Sequence, residues 1–332
     1  MSRTGDSRPY EVLRHRDFRL LWSADLLSVT GSEIQRVAVA WQVFEITGDA
    51  FKLGLIGLSR FLPLLIFGLA GGVIADRGDR RKTLVITQSV LLATSLLLAV
   101  MTISGSIPLL AIYVIVFIGA TVEGVSNPTR QAIMPLLVPR SEFPAASTMS
   151  VLGFQTARVG GPALGGLIIA ASGIGTAYVI DAISFIAVIS AVLLMKTHLP
   201  TIPITTGGVT AALEGLRFLK ETPVLLGLMV ADFVAVVLGT SVVLMPIFAE
   251  EILGVGPGGL GLLLAAPAAG SVTIAALLSF ARLPNQAGRG VIIGIVLYGS
   301  CIVGFGLSTS FLLSLAFLFG SGAADAISTT LR

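Results

Sequence analysis

The stretch 71-GGVIADRGDRRKTL-84 decides how the rest of the 332-residue chain is read. It puts six charges (Asp76, Arg77, Asp79, Arg80, Arg81 and Lys82) between an apolar run at 52–75 and another at 83–104. A bilayer-crossing helix needs about 20 mostly apolar residues, because lipid offers backbone N–H and C=O groups no partner. The stretch therefore reads as a short charged hairpin between two membrane spans. Outward from it, eight more such runs follow the same logic: 18–44, 108–130, 144–171, 174–196, 224–248, 257–281, 290–308 and 310–331. Composition agrees. Hydrophobic residues make up 55% of the chain and charged ones only 12%, against about 25% charged in a soluble domain. Mean hydropathy is +0.96. The expected fold class is an all-α polytopic membrane protein with ten spans.

Basic residues orient it. Arg3, Arg8, Arg14, Arg16 and Arg19 precede span 1, and Arg77, Arg80, Arg81 and Lys82 lie between spans 2 and 3. Arg130 and Arg140, then Lys196, Arg217 and Lys220, then Arg282 and Arg289 occupy the later loops on the same side. The opposite loops hold Lys52 with Glu45, Asp49, Glu250 and Glu251. This asymmetry predicts a cytoplasmic N-terminus. It also accounts for the net charge of +3 as a topology signal, so no nucleic-acid partner is expected. No cleaved leader is expected either, since the N-terminus lacks a short apolar stretch with a small-residue cleavage site.

One connection is long. It runs 199-LPTIPITTGG-208 and then 209-VTAALEGLRFLKET-222, whose apolar residues fall at helical spacing. It reads as a linker carrying an amphipathic surface helix between two bundles. A weak repeat agrees: shifted by 207 residues, Leu53-Gly54 falls on Leu260-Gly261 and Asp25 on Asp232. The expected domains are an N-terminal six-helix bundle at 1–197, a linker at 198–223 and a C-terminal bundle of about four spans at 224–332.

The opening stretch strongly resembles the signature loop of the major facilitator superfamily, Gly-x-Leu-Ala-Asp-Arg-x-Gly-Arg-Arg/Lys. Gly72, Ala75, Asp76, Arg77, Arg80 and Arg81 match, Ile74 stands for Leu, and Asp79 stands where the pattern has its second glycine. The stretch 158-RVGGPALGG-166 resembles the Gly-Pro motif of the fifth helix in superfamily exporters. Gly160, Gly161, Gly165 and Gly166 strip side chains from a face, and Pro162 frees a backbone carbonyl and bends the helix. The start of the chain from Asp17 to Leu58 and the turn 127-NPTRQAIMPLLVPR-140 resemble the branch of enterobactin exporters and macrolide efflux proteins. The resemblance implies the facilitator fold of two six-helix bundles, with about ten of twelve spans present and the C-terminal end expected to be incomplete. It also implies a conformational latch at Gly72, Asp76, Arg77, Arg80, Arg81 and Arg130, and a monomer in the bacterial inner membrane.

Charges inside spans are costly unless paired or hydrated, so each is a candidate site. Glu33 and Arg36 lie three apart on one face of span 1, with Gln35 beside them. They read either as a self-neutralised structural pair or as part of a proton-handling group. Glu123 in span 4, Arg158 in span 5 and Asp232 in span 7 join them as proton-coupling candidates, with Arg158 expected to meet Glu123 or Glu33. Arg60, toward the outer end of span 2, is expected to snorkel or to pair with Glu33 or an outer acid. Asp181 and Asp325 are further membrane acids. Trp22 and Trp41 read as interface anchors.

Function classes narrow accordingly. No P-loop supplies ATP energy, and no nucleophile–base arrangement stands out. Only His15, His198 and Cys301 are present as His or Cys, so neither a Cys/His metal cluster nor an intrachain disulfide is expected. No cofactor is expected. The reading is a proton-coupled secondary exporter of an amphipathic small molecule, in contact with membrane lipid. A nutrient importer or uniporter, and more remotely a membrane enzyme or assembly factor, remain the alternatives.

Overall fold

The computed structural model describes residues 9–76, 79–197, 242–280 and 287–331. Nine long helices form it: α1 (Arg16–Thr47), α2 (Ala50–Asp76), α3 (Arg80–Ile103), α4 (Leu109–Ile133), α5 (Phe143–Ser172), α6 (Ile174–Leu194), α7 (Gly256–Phe280), α8 (Ala287–Leu307) and α9 (Phe311–Leu331). The linker at 198–223, most of the seventh expected span, Arg77 and Asp232 lie outside the described residues. At Gly72 and Asp76, both on α2, only the backbone is described, and Asp76 ends the helix.

Local chemistry sets the helix ends. Gly48 closes α1 in the left-handed conformation (φ 57°), its N–H donating to the Phe44 carbonyl at 2.7 Å. A side chain there would be strained, which suits glycine. Asp79 caps α3: its carboxylate accepts from the Arg81 and Lys82 amides at 3.0 and 3.3 Å. Its backbone is extended (φ −65°), so the signature loop needs no glycine at this position.

Helices α1–α6 pack together, with α1 against α5 and α6, α3 against α4 and α6, and α2 against α4. Helices α7 and α8 both pack on α9. The two groups meet mainly where α5 lies along α7. A second contact joins α2 to the turn Val242–Leu244. Six helices (α3, α4, α6, α7, α8 and α9) contain stretches long and apolar enough to cross a membrane. The outer surface fits that solvent: Val100, Leu110, Leu312 and Leu307 are 63, 72, 75 and 80% exposed. A face so apolar is stable in lipid and a liability in water.

At the N-terminal end, polar groups tie α1 to its neighbours. Asp17 accepts from the Lys196 and Thr197 amides and the Thr197 hydroxyl at 3.0, 2.8 and 2.6 Å. Arg81 and Arg16 donate to the Leu193 and Leu194 carbonyls at 2.7 and 3.3 Å, supplying donors and positive charge at the end of α6. Arg14 and His15 both reach Glu142, in the connection before α5. Trp22 donates to the Met149 carbonyl at 2.9 Å and packs over Gly153, so it joins α1 to α5.

Candidate transport site

A cavity of about 460 Å³ lies between the two helix groups. Glu33, Arg36, Arg60 and Arg158 reach it from α1, α2 and α5; Tyr298 and Asp325 reach it from α8 and α9. Apolar side chains such as Val37, Ile56, Leu263 and Leu318 make up much of the remaining wall. A second cavity of about 340 Å³ lies within the first group, between α1, α2, α3 and α4. Arg36 and Arg60 line both, so these guanidiniums stand where the cavities adjoin.

Three expected site residues come together here. Arg36 pairs with Glu33 at 2.5 Å one turn away and reaches Glu123 of α4 at 3.8 Å. Two carboxylates thus share one guanidinium, with Arg60 within electrostatic reach of both acids. Arg60 therefore stands beside this group, on the same cavity as Glu33. Arg158 is elsewhere: it makes no ion pair with Glu33 or Glu123, and its guanidinium sits over the Phe154 ring, 5.6 Å from the centroid. It still lines the larger cavity.

The Gly-Pro motif lets the helices that carry these charges approach. A Cβ on Gly161 would stand 2.5 Å from the Glu33 Cβ, and one on Gly165 would stand 3.1 Å from the Ile34 Cα. Those two glycines seat α1 on α5 at the level of the ion pair. Gly166 faces the other way, where a Cβ would meet the Pro257 carbonyl and lie 2.8 Å from the Gly261 Cα. A Cβ on Gly261 would collide in turn with the Pro162 carbonyl. Backbone therefore lies on backbone across the seam between α5 and α7. Gly160 has no neighbour within 4 Å of such a Cβ and is outside this packing.

Of the expected latch residues, Arg130 pairs with Asp25 of α1 and lies 3.4 Å from the Ser28 hydroxyl. It is 9% exposed, so the bond is largely sheltered from water. Arg80, as deeply buried, reaches the Ala132 carbonyl at 3.5 Å. Arg130 thus joins α4 to α1, an arrangement its place near the end of span 4 did not reveal.

Sequence reasoning gave Asp181 no role, yet it is fully buried in α6. Its Oδ2 accepts from the Ser95 hydroxyl at 2.6 Å, and Ser95 accepts from the Gln35 amide at 2.8 Å. Its Oδ1 has no hydrogen-bond partner. Beside it, Tyr178 donates to Gln42 at 2.7 Å, and Gln42 donates to Thr102 at 2.9 Å. The available signal was an acid in an otherwise apolar span, facing a helix that carries Gln35 and Gln42.

A family model described as a transmembrane secretion effector matches residues 7–331. The chain belongs to that family, within the major facilitator superfamily. Macrolide efflux protein A of Streptococcus pyogenes is 29% identical over 126 residues, covering 38% of this chain and 31% of that protein. The enterobactin exporter EntS of Salmonella choleraesuis is 26% identical over 219 residues, covering 64% of this chain and 52% of that one. The matches therefore span about half or less of each relative's length. The same fold occurs in the crystal structure of a bacterial homolog of the human lysosomal transporter Spinster, inward-facing and unoccupied. Its TM-score is 0.71 at 16% identity, covering 95% of this chain and 74% of that one. The family is thus one of facilitator-type membrane transporters and not of enzymes. The expected exporter branch of the superfamily is the one its relatives occupy.

Proposed function

We propose that the protein is a proton-coupled exporter of amphipathic organic molecules, working by alternating access in the bacterial inner membrane with its N-terminus in the cytoplasm. The observation that carries this reading is the largely apolar cavity of about 460 Å³, lined from both helix groups and bordered by the Glu33–Arg36–Glu123 group. An apolar wall with a few charged groups suits a cargo with a greasy body and polar substituents. Relatives named for macrolide efflux and enterobactin export support the outward direction and the cargo class. In this reading 1–197 and 224–332 rock against each other about the linker at 198–223. The seam of Gly161, Pro162, Gly165 and Gly166 serves as the pivot. Gly72, Asp76, Arg77, Arg80, Arg81 and Arg130 latch one state, and the working protein is a monomer.

Coupling follows from the shared guanidinium. Arg36 stays charged, so it cannot carry the proton. It can hold Glu33 and Glu123 ionised, and separation from either acid favours proton uptake there. Asp232 is a further proton acceptor in this scheme. The test is uptake of ethidium into inverted membrane vesicles with and without an imposed pH gradient. Gradient-driven uptake should fall at least about tenfold in Glu33→Gln and Glu123→Gln, which corresponds to about 1.4 kcal/mol of lost coupling. Uptake indifferent to the gradient in the unaltered protein would overturn the reading.

A further inference from the structure

Three acids and two arginines occupy the core of the first helix group: Glu33, Glu123 and Asp181 against Arg36 and Arg60. Taking in the groups on the far wall of the larger cavity adds Arg158 and Asp325, which balance each other. Among the described residues the core therefore carries one acid more than it has guanidiniums. A buried charge without a partner is strongly disfavoured, and such a group neutralises instead. One proton is needed, and the geometry decides where it rests. Glu33 and Glu123 both face Arg36. Asp181 has no ion pair among the described residues, is fully buried, receives a single hydrogen bond and leaves Oδ1 unpartnered.

Resting on the exporter reading, we propose that Asp181 is the seat of the transported proton in this conformation, reached through Ser95 from the cavity of about 340 Å³. Ser95 stands between the two: it is one of the residues around that cavity, and its hydroxyl donates to Asp181. The groups that face the seat are few. Arg36 and Gly31 come from α1, Ser95 from α3, Arg60 from α2, Glu123 from α4, and Tyr178 and Ser184 from α6 itself. Arg158 of α5 lies on the larger cavity. Oδ1 looks toward Gly31, where a Cβ would stand 3.0 Å away. Backbone of α1 therefore shuts that side, and exchange runs through Ser95. On release, the carboxyl O–H bond at Oδ2 breaks and its electron pair stays on Oδ2; the proton goes to Ser95 Oγ as the hydroxyl's own proton leaves for a cavity water, so Ser95 ends as it began. A second proton transfer from that water to Glu123, on the wall of the same cavity, passes it toward the larger cavity once Glu123 parts from Arg36. Asp181 thus acts as a proton store serving the Glu33–Arg36–Glu123 group and does not touch cargo.

The test is infrared difference spectroscopy of the full chain in lipid nanodiscs, which needs no cargo, together with ethidium uptake into inverted vesicles. The protonated-carboxyl band should vanish in Asp181→Asn and persist in Glu33→Gln and Glu123→Gln. Ser95→Ala should shift its frequency, because it removes the hydrogen bond to Oδ2. Asparagine mimics the protonated acid, so the fold should hold while gradient-driven uptake is lost. If Asp181→Asn fails to fold, the Ser95→Ala shift carries the test. A band that survives in Asp181→Asn, or is unmoved in Ser95→Ala, overturns the seat. A band on Asp181 with gradient-driven uptake unchanged in Asp181→Asn overturns its coupling role. The band assignment stands even where unaltered vesicles ignore the gradient; that result sinks the exporter reading alone.

Discussion

The two helix groups solve the membrane problem differently. Helices α1–α6 enclose a charged and amide-rich interior: Glu33, Arg36, Gln35, Ser95, Asp181, Gln42 and Tyr178 bond within and across three helices, α1, α3 and α6. Helices α7–α9 pack mostly by close backbone approach. A Cβ on Gly270 would strike the Phe319 carbonyl, and one on Gly322 the Pro267 carbonyl. Among their polar contacts, Ser271 of α7 donates to the Gly322 carbonyl of α9 at 2.8 Å, and Ser314 donates to Ser308 at 3.1 Å. Small residues let helices pack where lipid removes the hydrophobic drive between them. The comparison shows a division of labour, with most of the cavity's charged groups in the first helix group and a mainly apolar wall, bearing Tyr298 and Asp325, from the second.

Breaking the packing side should cost most. Gly322→Leu forces a side chain into the Pro267 backbone and should destabilise the protein by about 3 kcal/mol or more, read as loss of monodisperse material in detergent. Gly160→Leu, at a site with open space, should be nearly silent in the same assay. On the charged side, Asp25→Asn leaves the buried Arg130 guanidinium without its counter-charge. Because Asp25 is partly exposed, the cost should be about 2–3 kcal/mol in a thermal unfolding series, below that of a fully buried pair. If Asp25→Asn proved the more damaging of the two, the division drawn above would be reversed.

Smaller effects sharpen the contrast. Gln42→Leu removes an amide that links Thr102 to Tyr178 and should cost about 2 kcal/mol, against about 1 kcal/mol for Ser314→Ala in the second group. Equal costs would argue that polar bonds matter alike in both. The smallest effect concerns the tether before α5. A hydrogen bond from His15, then one from Arg14 and the charge of both, hold the Glu142 carboxyl below its ordinary value of 4.5. A depressed carboxylate stabilises the fold above its unfolded-state value and loses that contribution as pH falls through the lower folded value. Proteolysis at the connection before α5 should therefore speed up as the pH is lowered through and below the ordinary carboxylate range, and Glu142→Gln should abolish that acid dependence. Unchanged cleavage in acid would mean that the tether does not hold the loop.

Much of this was legible before any coordinates. Helix positions followed from runs of apolar residues, and the described long helices fall on nine of the ten expected spans. The Glu33–Arg36 pairing followed from a spacing of three on one helix. Asp79 as a helix cap was hidden because the motif led attention to a missing glycine, whereas the backbone there is ordinary extended chain. Partners between helices were the harder part. Arg158 lies over Phe154 and Arg130 beside Asp25, since rotation of each helix decides what a side chain meets.

The sequence by itself determined that this chain crosses a membrane many times, where most of its helices begin and end, and which charges must be sheltered. Those properties depend on local composition and on the absence of water in lipid. Only the tertiary structure decided that Arg36 is shared by two acids, that Gly166 and Gly261 let α5 and α7 touch, and that Asp181 stands without an ion-pair partner among the described residues. Such facts depend on the rotation and depth of one helix against another. They are set by side-chain fit summed over many weak contacts, which no single stretch of sequence contains.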